Sequence, residues 1–376
     1  MNMSHLKPHI GIMTVFLIGI FVVSVFGNAS IPRIPTTTIQ NASSTLAVVN
    51  TVATTSAQTP IIPVPKKVIP PAPKPTPKPA PATPLKATPI SAPTSLLPSE
   101  SASLDASAAT LRAALVNIIC YAPAGSGLRS ISGSGVIVDP KGIILTNAHI
   151  AQNFLLADRD VSCTIRAGSP AIDTYKASLI YISPAWIQAN ANILTQTNPS
   201  GTGEYDFAFL AITKSATSAA LPSSFPFIPL ATAPPPTGTP VVIASYGAQF
   251  LESNQIQSFL FPTIVFGSVK DVFTFAATTI DVLTLGGSAA AQEGSSGGGV
   301  AGGNGKLVGT ITTSTTNGST DTRKLDAITA SYIRAEYANE TGRALDLLLT
   351  EATSTSVANF APQIPALESI LTANLK

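Results

Sequence analysis

The sequence predicts an all-β body of two six-stranded antiparallel β-barrels with flanking helices. It also predicts an N-terminal transmembrane helix and a Pro-rich disordered stalk ahead of that body. Three observations carry this. Two sets of about six short β-branched runs are punctuated by Gly, Pro, Asn or Asp. An uncharged apolar run occupies residues 10–27. Between the run and the strands, residues 60–98 carry proline at nearly every second or third position.

Taking the elements in order, residues 1–9 form a short n-region that includes Lys7. The run at 10–27 is long for a signal-peptide core, about 7–15 residues, and adequate for a bilayer span of roughly 17–25. It reads as an uncleaved anchor with the rest of the chain exported. Gly27-Asn28-Ala29 offers small residues for a signal peptidase, and cleavage there would make the protein secreted. Residues 28–100 are Ser/Thr-rich and then Pro/Lys-rich. Proline fixes φ and removes donors, so this stretch reads as an extended polyproline-II-like stalk. Its lysines (Lys66, Lys67, Lys74, Lys78 and Lys86) keep a spacer solvated and are placed to touch an anionic envelope polymer.

A helix is expected over 104–116, with Leu104, Ala108, Leu111 and Leu115 on one face. The first set of strands is expected at 117–121, 135–139, 142–146, 161–166, 177–183 and 206–213. A proline-rich loop at 233–237 separates it from the second set, at 240–246, 263–273, 279–285, 298–301 and 307–313. Helical character returns at 326–340 and 343–350. The folded domain is thus expected to span 101–350, followed by a tail over 351–376.

Composition narrows the function. All 19 acidic residues lie from Glu100 onward, against 14 of the 21 Lys and Arg, so the part able to fold carries −5 and residues 1–99 carry +7. An acidic body without a basic cluster disfavours nucleic acid as a partner. Two cysteines cannot build a zinc ribbon or a CxxC redox site. Of the three histidines, His5 and His9 precede the apolar run, so imidazole chemistry in the body falls to His149 and multi-histidine metal sites are excluded. No cofactor or metal is expected.

Three segments carry chemistry: GSGVIVDPKGIILTNAHI ending at His149, EYDFAFLAI with Asp206, and EGSSGGGV with Ser296. Each alone is weak, since a serine among glycines is usually a loop and a lone histidine usually structural. Together they give the order His, Asp, Ser with the serine in Gly-x-Ser-Gly-Gly. A serine hydroxyl needs a neighbouring base during attack, and neutral imidazole suits that near pH 7. Asp206, entering an apolar run, is placed to keep a carboxylate oxygen buried and hold the imidazole in one tautomer. Backbone N–H groups of Gly294 and Ser296 are expected to form the oxyanion hole.

These motifs resemble the trypsin-like, chymotrypsin-fold serine peptidases, nearest to the bacterial HtrA type but without a PDZ domain. The resemblance spans roughly 111–333. It implies His149 as general base, Asp206 as its orienter, Ser296 as nucleophile and a protein or peptide as substrate. Two departures stand beside the nucleophile: Ser295 where HtrA-type sequences often have Asn, and Gly299 where they often have Pro. The resemblance puts the pocket floor at Ala290 and a wall along the strand with Thr312 and Thr313. No acid occupies 289–291, which argues against Lys or Arg at P1 and favours a small or medium apolar side chain. Cys120 and Cys163 fall on strands that are neighbours in this fold, which admits a disulfide; two buried free thiols are the alternative. The segment 184–204, with the single tryptophan Trp186, reads as an insertion near the site or a tolerated surface one. The functional expectation is an envelope-anchored serine endopeptidase, outside the cytoplasm. Its alternative is a catalytically inactive scaffold of the same fold on a surface stalk.

Overall fold

A computed structural model of the chain describes residues 98–196, 201–275, 278–314 and 318–375. Helix α1 (Pro98–Ala114) leads into the body. Leu104 and Leu111 of its predicted face are buried, and the Ser107 hydroxyl donates to the Gly302 carbonyl at 2.9 Å. Leu115 already belongs to the first strand, where Val116, Ile118 and Ile119 favour extended backbone.

Strands β1 (Leu115–Tyr121), β2 (Ile131–Asp139), β3 (Ile143–Thr146), β4 (Ser162–Ala167), β5 (Ile172–Ile182) and β6 (Ala208–Ser215) close into a barrel in the order β1-β2-β3-β6-β5-β4. Closure comes from β1, which pairs antiparallel with both β2 and β4. Ile118, Val136, Ile144, Ile165 and Phe209 are fully buried in the hydrophobic core built on both faces of these strands. All six predicted runs of the first set are strands. A one-turn helix, α2 (Ala148–Ala151), follows β3 directly, and α3 (Pro184–Ala189) follows β5. Trp186 is buried on α3, whose N-cap is Ser183 and whose first residue is Pro184.

The second barrel is not formed. Strands β7 (Pro240–Ser245), β8 (Thr263–Ser268), β9 (Asp271–Phe273), β10 (Val282–Thr284), β11 (Gly299–Gly302), β12 (Leu307–Ser314) and β13 (Leu325–Thr329) make an open seven-stranded sheet, ordered β8-β7-β11-β12-β13-β10-β9. The physical reason lies in the run 263–273, expected as one strand. It breaks at Val269–Lys270, where the Val269 N–H goes to the Thr239 carbonyl and the Lys270 N–H to that of Thr284. The two pieces become the two edges of the sheet, with β8 on β7 and β9 on β10. Helix α4 (Ser253–Ser258) lies between β7 and β8.

The helix expected over 326–340 begins only at Ala330, because 325–329 is β13, paired with both β12 and β10. Thr329 ends the strand and caps α5 (Ala330–Thr341), accepting the Tyr332 N–H. Then come α6 (Leu345–Thr350), α7 (Thr353–Phe360) and α8 (Ile364–Thr372). The expected tail is therefore helical: α7 packs on β5 and β6, α8 on α3, and Phe360, Leu367 and Leu371 are buried.

The membrane assignment is overturned. Among the described residues no helix is long and apolar enough to cross a membrane. The longest, α1, has 17 residues and carries Glu100, Asp105 and Arg112, whereas a span needs about 20 predominantly apolar residues. The run 10–27 and the Pro-rich stretch lie outside the described residues. The anchor, the membrane as partner, the envelope-polymer contact and the extracytoplasmic placement that depended on them are withdrawn.

Candidate active site

β3 ends at Thr146, and Asn147 turns the chain into α2, so His149 projects from a fixed strand end. Asp206 sits two residues before β6, the neighbour of β3 in the same barrel. The turn before it is tight: Gly203 has φ +88° and Tyr205, a non-glycine, has φ +56°. Such a conformation costs about 1 kcal/mol or more and needs outside support. That support is the Tyr332 hydroxyl, which accepts the Tyr205 N–H at 3.0 Å.

Asp206 is buried, and both its oxygens are used. Oδ1 accepts the His149 backbone N–H at 2.9 Å, while Oδ2 lies 2.7 Å from His149 Nδ1 and accepts the Thr312 hydroxyl at 2.8 Å. Asn147 Nδ2 donates to the Asp206 carbonyl at 2.9 Å. The imidazole is thus held by a carboxylate that is itself fixed from the open sheet. Burial works against its protonation, but the charge of Asp206 and its hydrogen bond outweigh that, and the His149 pKa is raised above 6.5.

Ser296 lies between Gly294 (φ +88°) and Gly297 (φ +83°) in the loop before β11. The loop is fastened to the closed barrel. The Ser134 N–H donates to the Ser296 carbonyl, and its hydroxyl donates to the Gly294 carbonyl, both at 2.8 Å. The carbonyl of Ser134 accepts the Thr146 hydroxyl at 2.7 Å, three residues before His149. A Cβ on Gly297 would fall 2.0 Å from the Ser134 carbonyl oxygen, so this approach requires glycine. Ser295 points the other way, buried and accepting from the Ser245 hydroxyl at 3.0 Å.

The Glu293 carbonyl accepts the Ala248 N–H at 2.7 Å. In a trans peptide the N–H points opposite to the carbonyl, so the Gly294 N–H faces away from Ala248. Neither it nor the Ser296 N–H donates to any acceptor among the described residues. The His149 ring makes no hydrogen bond to the Ser296 hydroxyl, which has no hydrogen-bond partner among those residues.

Ala290 is fully buried, and its N–H goes to the Ser288 hydroxyl at 3.2 Å. Thr312, also expected at the pocket, gives its hydroxyl to Asp206. Thr313 pairs with Asp326 through the backbone, next to a bulge. Cys120 and Cys163 face each other on β1 and β4 and form a disulfide. Among the described residues no group of three or more His, Cys, Asp or Glu is arranged to hold a metal.

Sequence reasoning missed Ser134, Asn147 and Thr312 as supports. Thr312 had no local signal, being 106 residues from its partner. Gly294 and Gly297, with positive φ, were legible as a glycine-rich turn.

Residues 133–309 match the family model for the trypsin-like peptidase domain. This stretch contains His149, Asp206 and Ser296, and the match classes it as a trypsin-like serine peptidase domain. The fold is also similar to the crystal structure of the Rv3671c protease from M. tuberculosis in its active form, at 19% identity and a TM-score of 0.41, over 70% of this chain and 96% of that one. It is likewise similar to the serine endoprotease from Yersinia pestis, at 21% identity and a TM-score of 0.41, over 67% of this chain and 70% of the other. No curated protein matches the chain.

Proposed function

We propose that this domain is a serine endopeptidase of HtrA-like type that cleaves peptide bonds through Ser296, His149 and Asp206. The observation that carries the reading is the fixed imidazole: Nδ1 is engaged by a buried carboxylate, which leaves Nε2 as the basic nitrogen. In the first step Ser296 Oγ bonds to the scissile carbonyl carbon while His149 Nε2 takes its proton. Asp206 stabilises the imidazolium without itself being protonated. The tetrahedral oxyanion is taken by the unengaged N–H groups of Gly294 and Ser296. The imidazolium returns its proton to the leaving amine, and water then hydrolyses the acyl-enzyme by the same route.

A non-catalytic scaffold is the second reading. The observation favouring it is the missing His149–Ser296 hydrogen bond, although such bonds are often long before substrate binds. Labelling with a fluorophosphonate separates the two. An adduct on Ser296 that is lost in Ser296→Ala and His149→Ala, both still folded by circular dichroism, is the expected result. Absence of any adduct on the folded wild type establishes the scaffold.

A further inference from the structure

The stretch before the nucleophile, 289–292, contributes three alanines and no charge of its own. Against its backbone lies Arg323, in the segment joining β12 to β13 and only 6% exposed. Its Nη1 donates to the Ala291 carbonyl at 2.7 Å and to Gln249 Oε1 at 2.6 Å. Nε and Nη2 both donate to the Gly318 carbonyl, at 3.0 and 2.9 Å. One guanidinium therefore ties together three loops: the one after β7, the one before β11 and the one after β12. Its centre also lies 5.7 Å from the Phe250 ring.

Every hydrogen-bond acceptor of Arg323 is neutral. No carboxylate forms an ion pair with it among the described residues. The other deeply buried guanidinium, Arg166, shows the contrast, since it has Asp173 at 3.3 Å. Of the five N–H groups of Arg323, the four bonds above use four, leaving one on Nη2. A buried charge without a counter-charge is costly, and its field is little screened by salt.

We propose that Arg323 is the specificity-determining residue of the cleft and selects substrates with a carboxylate side chain, Glu or Asp, at the P1 position. This rests on the reading of Ser296 as nucleophile with 289–292 as the wall of its primary pocket. The alanines alone would favour a small apolar side chain; the charge behind them favours an anion and repels Lys or Arg. A P1 carboxylate supplies the counter-charge that the fold leaves out, and the three tethered loops hold the wall in place to receive it.

The test uses the full chain and peptides identical except for Glu, Gln, Ala or Lys at P1. Wild type is expected to show a kcat/KM for Glu on the order of tenfold above Gln, with Lys lowest. In Arg323→Gln the Glu-to-Gln ratio falls to about one, and the Ala peptide assayed beside them separates that loss of selectivity from a general fall in rate caused by loosened loops. Arg323→Lys, which keeps the charge but not the fork, retains the Glu preference in part. In parallel, the affinity of Ser296→Ala for the same peptides, read by fluorescence anisotropy, reports the pocket without turnover. Equal treatment of Glu and Gln by the wild type, or a ratio unmoved in both Arg323 variants, overturns the proposal. A fluorophosphonate-labelled enzyme without Glu preference refutes this inference and leaves the peptidase reading standing. Glu-selective binding by a protein that never labels does the reverse.

Discussion

The His149–Asp206 pair decides how the site answers to pH. Because the raised imidazole pKa comes from Asp206, the proposed mechanism predicts an acid limb of kcat/KM with its midpoint above 6.5, activity rising as the imidazole deprotonates. Asp206→Asn removes the charge that raises it. The midpoint should then move down while turnover falls on the order of 10⁴-fold. A pH–rate profile of both proteins checks the shift. The sign for folding is opposite to that for catalysis. A histidine whose pKa rises on folding contributes its full stabilisation below its unfolded value, and loses it as pH climbs through the folded one. At this scale the sequence was informative about residue types and order, because His149 had no competitor and Asp206 opened an apolar strand. It assigned Thr312 to the pocket wall without its bond to Asp206 and passed over Ser134, because both roles depend on contacts made across the fold.

Among the elements, β11 shows why one departure from the HtrA pattern is physically required. Gly299 pairs with Ala244 on one side and Thr310 on the other. A Cβ there would come within 2.9 Å of Leu111, Leu307 and Val136 side-chain atoms. Gly299→Ala should cost about 1–3 kcal/mol from overpacking, read from the urea midpoint, and proline should cost more by also removing the N–H. An unchanged midpoint for the alanine variant would mean that α1 and the sheets yield freely. Period and punctuation located most strands because β-branched runs between turn residues leave little else to form. They failed at two places. The break at Val269–Lys270 is made by partners at Thr239 and Thr284, which no local pattern records. At 325–329 the residues are all buried, so the alternation that marks a half-exposed strand is missing and the following helix absorbed them.

Across the whole body, the C-terminal helices complete the first barrel's outer packing. Removing 351–376 would expose the sites that Phe360, Leu367 and Leu371 cover. At about 1.5–3 kcal/mol for each large apolar side chain, the loss should be several kcal/mol, seen as a clear fall in thermal midpoint. A truncated chain with an unaltered midpoint would show that these helices add no stability. Their periodicity was present in the sequence, with Val357, Phe360, Ile364, Leu367 and Leu371 at intervals of three and four, but Pro362 and Pro365 interrupt the run and made it read as a tail.

Ser134 belongs to the closed barrel yet grips the loop of Ser296 at two carbonyls. If Ser296 is the nucleophile, the order of assembly becomes a safeguard. A nascent chain whose first strands have not yet joined has nowhere to seat its reactive alcohol, and so meets its neighbours in the cell unarmed.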